Sequence, residues 1–170
     1  MKILFSAVLA MLAMTAAAHA ATTLPGGATS LTEAHDDWTV RCQVANNLVK
    51  CAVQQEQVSG QNKQRVLAVE ILRGEGALTG TLVLPFGLQL SKGAVLKVDD
   101  ALTSPVLPFQ TCLPAGCLVP LAIGAQWESA MRAGTALAVT AEAVSGQPAK
   151  FSISLKGLAS ALDRIVDLTK

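Results

Sequence analysis

Four cysteines are the residues whose chemistry is easiest to define in this sequence, and Cys112 and Cys117 stand close together in LPFQTCLPAGC, residues 107–117. Two thiols at this spacing could form a redox centre, contribute to a zinc site or form a structural disulfide. Redox centres typically place Cys-x-x-Cys at the start of a helix, where the helix dipole lowers the thiol pKa. Here residues 113–116 separate the cysteines, and their Pro and Gly favour a tight turn. We therefore interpret the segment as a disulfide-closed turn, with a thiol-disulfide factor as the weaker alternative.

The other two cysteines, Cys42 and Cys51, flank Asn46-Asn47, and asparagine tolerates the positive φ angles that a two-residue hairpin turn requires. In such a hairpin Cys42 pairs with Cys51 at a non-hydrogen-bonded position, where the Cα atoms lie about 4.5 Å apart and a disulfide fits. We predict the bridges Cys42–Cys51 and Cys112–Cys117. Four cysteines allow three pairings, so the two crossed arrangements stay open at this point.

No metal or cofactor site is predicted. Zinc sites use close cysteine pairs or histidines, whereas eight residues separate Cys42 from Cys51 and His35 is the one histidine outside residues 1–20. His35 lies beside Asp36-Asp37 and could act as a metal ligand or a general base, but a base needs rigid support. We interpret His35 as part of a solvated segment ahead of the first strand.

No catalytic residue is predicted either. The sequence lacks a G-x-S-x-G elbow, and residues 74–80 place their third glycine one position late for a dinucleotide loop, which favours a turn between strands. Trp38 and Trp127 could form a ligand platform, although aromatic side chains are more commonly part of the core. The alternative to a non-enzymatic protein is a hydrolase whose site is assembled from dispersed carboxylates and hydroxyls.

Residues 1–20 have the pattern of a secretory signal, with Lys2, an apolar run and a final Ala18-His19-Ala20. Residues 21–37 are rich in Gly, Thr and Ala and predict a flexible leader, so that residues 38–170 form a single domain. No apolar segment long enough to span a bilayer follows the signal. Removal of Lys2 leaves 12 basic residues (13 minus 1) against 12 acidic ones, and this balance argues against nucleic acid as a partner.

Short β-type runs separated by turn residues follow one another at the spacing of a sandwich or barrel. They cover residues 38–42, 48–54, 65–73, 80–87, 94–100, 104–111, 117–123, 135–143 and 150–155. Residues 125–133 predict a helix that Gly134 ends in a left-handed conformation. From Gly157 the chain predicts an amphipathic C-terminal helix, with one apolar stripe formed by Leu158, Ala161, Leu162, Ile165 and Leu168. The predicted class is all-β with one or two short helices.

Several motifs in a fixed order resemble the invasion-associated locus B family of exported bacterial proteins. They are WTVRC at 38–42, Cys51 followed by Gln54-Gln55, the segment 82–99 with G-x-x-L-x-V-D at its end, LPFQTCLPAGC at 107–117 and FSISLKGLASAL at 151–162. The resemblance covers nearly the whole chain after residue 37, and departs from the pattern at Pro120 and at Leu158.

This resemblance implies an immunoglobulin-like β-sandwich in the periplasm, at the outer membrane or outside the cell, and a family linked to invasion of host cells. It implies no enzymatic activity and no catalytic residues. The function expected for the chain is therefore that of a disulfide-stabilised, non-enzymatic binding module whose partner is a protein of the envelope or of a host surface, bound through strand edges or loops.

The disulfide pairing can be tested by a tryptic map of the unreduced protein. Cleavage at Lys50 separates Cys42 from Cys51, so these two peptides should migrate as one linked species until reduction. No basic residue separates Cys112 from Cys117, so that pair should remain within a single peptide that gains two hydrogen atoms on reduction. A peptide linking Cys42 to Cys112 or Cys117 would contradict the pairing. Each short loop closed in this way is expected to add about 2–3 kcal/mol to the free energy of unfolding.

Overall fold

The computed structural model describes residues 23–61, 64–74 and 77–170, and the predicted signal at 1–20 lies outside them. The strands of this part of the chain are β1 (Ser30–His35), β2 (Trp38–Ala45), β3 (Leu48–Val58), β4 (Arg65–Arg73), β5 (Leu78–Leu84), β6 (Ala94–Val98), β7 (Leu102–Thr103), β8 (Thr111–Leu113), β9 (Gly116–Ile123), β10 (Ala136–Glu142) and β11 (Pro148–Ser154). The helices are α1 (Ala125–Ala133) and α2 (Leu158–Leu168), with short 3-10 turns at Pro25–Gly27 and Leu90–Lys92.

Two antiparallel sheets form the sandwich. The large sheet has the order β1-β2-β3-β4-β5-β9-β8, and the small sheet has the order β11-β10-β6-β7. Consecutive strands from β1 to β5 are neighbours, because short hairpins connect them. The prediction of an all-β protein with a C-terminal helix is confirmed.

The large sheet buries only one of its faces. Along β4 the alternate residues Leu67, Val69 and Ile71 are each no more than 1% exposed, which confirms the predicted period of two. Their neighbours across the sheet join one hydrophobic core that includes residues of both sheets and of α2. Full burial of a side chain of this size contributes about 1.5–3 kcal/mol.

Side chains of the large sheet donate hydrogen bonds to the edge of the small sheet. The carbonyl oxygen of Ser154 accepts from Trp38 Nε1 and from Gln55 Nε2, both at 2.9 Å. The carbonyl oxygen of Ser152 accepts from Gln57 Nε2 at 2.7 Å. These carbonyls belong to β11, the outermost strand of its sheet, so the side chains satisfy backbone groups that no strand pairs. We call this set of donors, Trp38, Gln55 and Gln57, the edge clasp.

The hairpin between β2 and β3 has the register predicted from its asparagines. Asn46 and Asn47 both have positive φ angles, 54° and 59°, and Cys42 pairs with Cys51. The hairpin between β8 and β9 pairs Leu113 with Gly116, and Cys112 with Cys117. In each hairpin a two-residue turn therefore brings the cysteines to opposite positions on adjacent strands.

Helix α2 begins and ends close to its predicted bounds, and all five residues of the predicted apolar stripe are buried. The helix packs on β1, β2 and β3. Gly157, immediately before the helix, has a φ of 88°, and a Cβ at this position would collide with the carbonyl oxygen of His35. The close approach of the helix start to the turn between β1 and β2 therefore requires glycine.

Helix α1 also has its predicted bounds, but Gly134 ends it by a different mechanism from the one expected. Its φ of −80° and ψ of 170° are extended rather than left-handed. A Cβ on Gly134 would lie 2.8 Å from Val98 Cγ1 and 2.9 Å from the carbonyl oxygen of Ala130. Glycine is needed here because of close packing, which a sequence pattern does not reveal.

Two further predictions were wrong. The flexible leader proposed for residues 21–37 includes β1, which pairs with β2 from Ser30 to His35, and Leu24 is only 1% exposed. The strand expected at 104–111 is mostly irregular, with an isolated bridge between Leu107 and Ala94, because this segment crosses from the edge of the small sheet to the edge of the large one. Burial against α2 and β2 gives the leader the contacts that its own composition does not predict.

Replacement of Gly157 by Ala should destabilise the protein by at least about 2 kcal/mol, because the left-handed conformation and the collision with His35 both oppose a Cβ. Gly87→Ala is the matched control, since Gly87 has a φ of 87° and a Cβ added there would meet no atom within 4 Å. The control should cost only about 1–2 kcal/mol. Chemical denaturation of the two variants gives the comparison, and equal losses would show that the helix start is not tightly packed.

Candidate functional surface

Both pairs of cysteines form disulfides, and Cys42 and Cys51 belong to the hydrophobic core. Cys42 and Cys51 have Cα atoms 4.1 Å apart, and those of Cys112 and Cys117 are 3.9 Å apart. Cys42, Cys51 and Cys117 are buried, and Cys112 is half-buried. Thiol-disulfide exchange requires access of an attacking thiolate to a sulfur atom, and neither bridge lies at a helix start that would activate a thiol. The geometry is that of structural bridges.

His35 is held on β1 instead of lying in a solvated segment, which corrects its interpretation from the sequence. Its Nδ1 lies 3.1 Å from the hydroxyl oxygen of Ser160 on α2, and its Nε2 lies 3.8 Å from a carboxylate oxygen of Glu33. A serine, a histidine and a carboxylate in one series have the composition of a hydrolase triad. Whether these three side chains could act as a catalytic triad depends on the hydrogen bonds that each of them makes.

The hydroxyl of Ser160 contacts a backbone carbonyl as well as the histidine. Its oxygen lies 3.0 Å from the carbonyl oxygen of Gly157, to which it can donate its proton, and 3.1 Å from His35 Nδ1. A general base would have to accept that same proton, so the Gly157 carbonyl competes with His35 for it. Glu33 receives two hydrogen bonds from Arg164, at 2.7 and 2.8 Å. The cluster therefore fastens α2 to β1, and we see it as structural.

The two tryptophans are not brought together. Trp38 lies in β2 and is 1% exposed, while Trp127 lies in α1 and is half-buried. Trp127 lines an apolar groove of about 300 Å³ between β9, α1 and the segment around Pro105. Within residues 23–61, 64–74 and 77–170, no three His, Cys, Asp or Glu side chains form a group that could hold a metal ion.

Exposed apolar side chains concentrate at one end of the sandwich. Of the eight large hydrophobic residues that are exposed in the described chain, six lie where β3, β5 and β10 end and where β6 and β9 begin. We call these six the apolar loop end: Val58, Phe86, Leu90, Val106, Leu113 and Val144. The remaining two, Leu48 and Leu72, lie elsewhere on the large sheet.

Backbone hydrogen bonds join the loops of this end. The amide of Val144 donates to the carbonyl of Gly87 at 2.9 Å, and the amide of Gln89 donates to the carbonyl of Glu142 at 2.8 Å. The amide of Ala94 and the carbonyl of Leu107 are 2.9 Å apart in a similar bond. The loops that carry Phe86, Val106 and Val144 are thus held to neighbouring strands.

The disulfide Cys112–Cys117 supports the same end. It closes the hairpin whose turn, Pro114-Ala115, lines a shallow depression together with Phe86. Gly116 has a φ of 133°, and a Cβ there would lie 2.6 Å from the carbonyl oxygen of Leu84. The turn therefore packs closely against the end of β5.

The sequence motifs include segments that build the apolar loop end, but they do not predict that these segments lie at the same end of the sandwich. Phe86 and Leu90 lie in the segment 82–99, and Leu113 lies in LPFQTCLPAGC. The signal in the sequence was the occurrence of large apolar residues beside Pro and Gly in loops, where polar residues are the norm. Which loops share an end depends on the sheet order.

Comparison with known proteins agrees with this architecture. The family model described as Invasion associated locus B (IalB) protein matches residues 38–166. The chain belongs to the IalB family. An invasion protein B homolog of Brucella abortus (strain 2308) is 49% identical over 152 residues, covering 88% of this chain and 87% of the relative. Invasion protein B of Bartonella bacilliformis is 34% identical over 151 residues, with 87% and 81% covered.

A solved structure is also similar to this IalB-family chain. The crystal structure of invasion associated protein B from Bartonella henselae superposes with a TM-score of 0.76 at 30% sequence identity. The match covers 82% of this chain and 97% of the other. No helix in the described part of the chain is long and apolar enough to cross a membrane.

The motif G-x-x-L-x-V-D at residues 93–99 of this IalB-family chain has a structural explanation. Gly93 has a φ of 68°, and a Cβ there would lie 2.6 Å from Val106 Cγ1. The carboxylate of Asp99 accepts hydrogen bonds from the amides of Thr135 and Ala136, at 2.8 and 3.0 Å. The two ends of the motif fix the loops on either side of β6.

The ion pair between Glu33 and Arg164 should make stability depend on pH. Hydrogen bonds from Arg164 hold the pKa of the Glu33 carboxyl below its ordinary value despite partial burial. A carboxyl whose pKa is lowered in the folded state stabilises the protein above its unfolded pKa, and this contribution is lost as the pH falls through the folded pKa. Glu33→Gln should therefore lower the melting temperature at about pH 7 and have a much smaller effect at about pH 3.

Glu56→Gln is the control for this comparison. It breaks the ion pair between Glu56 and Arg65, whose side chains are 50% and 38% exposed, and should change the melting temperature less at either pH. A loss for Glu33→Gln that is the same at both pH values would contradict the ionic contribution.

Proposed function

We propose that this IalB-family protein is a non-enzymatic binding module of the bacterial envelope, and that the apolar loop end contacts a protein partner. The observation that carries the proposal is that this end holds six of the eight large hydrophobic residues that are exposed within residues 23–61, 64–74 and 77–170. Scattered exposed hydrophobic residues are ordinary on a protein surface, whereas a group on one face is characteristic of an interaction site.

The exposed fractions support a contact surface. Val144, Phe86 and Val106 are 70%, 62% and 61% exposed, which leaves most of each side chain accessible to a partner. Aromatic and aliphatic side chains at the centre of an interface contribute most of the binding energy when a partner covers them. A protein surface is the partner that would bury such side chains together.

The loops are suited to binding without a large ordering cost. Hydrogen bonds tie Gly87 to Val144, and the disulfide Cys112–Cys117 closes the neighbouring hairpin. Loops that are ordered before binding lose less conformational entropy in the complex. This arrangement supports a binding function without the need for a catalytic site.

Export supports the envelope as the location. Residues 1–20 have the pattern of a secretory signal, and two disulfides are stable in an oxidising compartment such as the periplasm. Relatives carry the name invasion protein B, which supports a partner in the bacterial envelope or on the surface of a host cell. We propose the periplasm, the outer membrane or the exterior of the cell as the location of the protein itself.

The proposal can be tested with the double variant Phe86→Ser/Val144→Ser. If these residues contact the partner, capture of that partner from envelope or host-membrane extracts should fall at least about tenfold, because two central apolar contacts are removed. The matched control is Leu48→Ser/Leu72→Ser, which removes two exposed apolar residues away from the apolar loop end. The control should capture the partner as well as the parent protein does.

A second measurement locates the contact directly. A photo-crosslinking amino acid at position 106 should link to the captured partner, and the same amino acid at position 48 should not. Equal capture by both double variants, or crosslinking from position 48 alone, would show that the apolar loop end is not the interface.

A further inference from the structure

The outer face of the large sheet, opposite the core, contains an open concavity over β1, β2 and β3 that both polar and apolar residues line. It has a volume of about 510 Å³. We call it the donor concavity, and its polar lining consists of Ser30, Thr32, Arg41, Gln43, Lys50 and Gln54. It lies outside the apolar loop end and contains no residue of the proposed protein interface.

Strand register places these side chains on one face. Thr32 pairs with Arg41, which pairs with Ala52, and Ser30 pairs with Gln43, which pairs with Lys50. Residues directly opposite each other in adjacent strands project to the same side of a sheet. Ala52 has the shortest side chain of this group and leaves space between its longer neighbours, which accounts for the depression.

The charge of the concavity is uncompensated. Arg41 and Lys50 take part in none of the ion pairs found among the described residues. They are diagonal neighbours on β2 and β3, at a spacing of roughly 7–8 Å. The carboxylate nearest in register is Glu70 on β4, and it accepts a hydrogen bond from Gln54.

The remaining polar groups add donors rather than acidic charge. Ser30 and Thr32 carry hydroxyls, and Gln43 and Gln54 carry amides, so the lining offers neutral hydrogen-bonding groups around two cations. Hydroxyl groups of a ligand can bind the amides and hydroxyls, while its acidic groups can bind Arg41 and Lys50. A volume of about 510 Å³ is larger than a single anion needs.

We propose that the donor concavity binds an acidic saccharide, with Arg41 and Lys50 holding its carboxylate or sulfate groups. Arg41 can bind such a group through two parallel hydrogen bonds, and Lys50 provides a point charge beside it. Glu70 and its partner Gln54 form the border toward β4 and limit the positive region to the first three strands. The site would act in addition to the protein contact at the apolar loop end.

The test measures binding of three saccharides to the full mature protein by titration calorimetry at low and at raised salt. A heparin-derived octasaccharide supplies sulfate and carboxylate groups, an oligogalacturonate supplies carboxylates alone, and a dextran oligomer supplies neither. Binding of one or both acidic probes, weakened by salt, is expected because the contacts are ionic and solvent-exposed. The pair of acidic probes distinguishes sulfate from carboxylate as the preferred group.

Arg41→Gln/Lys50→Gln should weaken binding of the acidic probe at least tenfold. Its matched control is Lys92→Gln/Lys150→Gln, which removes the same charge from exposed positions outside the donor concavity and should leave the affinity within about twofold. Both changes replace exposed side chains, and a melting curve of each variant checks that it is folded.

Several outcomes would overturn the proposal. One is the absence of binding to either acidic probe, and another is equal binding of the dextran oligomer. A third is an equal loss of affinity in the two double variants, which would indicate a nonspecific effect of net charge. Because the Phe86 and Val144 variant leaves the donor concavity intact, its binding to the acidic probe separates failure of this site from failure of the proposed protein interface.

Discussion

The edge clasp is the interaction on which the arrangement of the two sheets depends. Gln55 is buried, and its amide nitrogen donates to Ser154 while its amide oxygen accepts from Gln57 at 3.2 Å. A buried amide without partners would cost about 1–3 kcal/mol, so these bonds define one favourable position of β11 relative to β3. The same bonds occupy the free carbonyls of an edge strand that could otherwise pair with another chain. One network of side chains thus sets the sheet packing and limits edge-to-edge association.

Strands β1 to β3 have an inner face that packs against the core and α2, and an outer face that carries exposed side chains. Helix α2 covers β1 to β3 on the inner face, fastened by Arg164 to Glu33 and by the close approach of Gly157 to His35. Arg41 and Lys50 lie on the outer face of the same strands, where both are exposed in the described part of the chain. In such a fold we expect binding at the exposed surfaces, because the buried faces stabilise the packing of the core and are not accessible to a partner.

A large part of the fold could be predicted from local patterns. The period of two in Arg65–Arg73 and the helical stripe from Leu158 gave both elements with correct faces, and the asparagine turn gave the pairing of Cys42 with Cys51. Patterns of this kind depend on neighbours in the chain. The strand Ser30–His35 was missed because its sequence has no strong alternation, and it is fixed by pairing with β2.

The sequence by itself determined the all-β class, both hairpins that carry cysteines and the absence of a recognisable catalytic motif, since each depends on residue types at short spacing. Only the tertiary structure decided that Phe86, Val106 and Val144 share one end, and that neither Arg41 nor Lys50 forms an ion pair among the described residues. It also showed that the Ser160 hydroxyl contacts both the carbonyl of Gly157 and the ring of His35. The physical reason is that strand order, register and hydrogen-bond direction join residues far apart in the chain, and local propensity carries no information about such contacts.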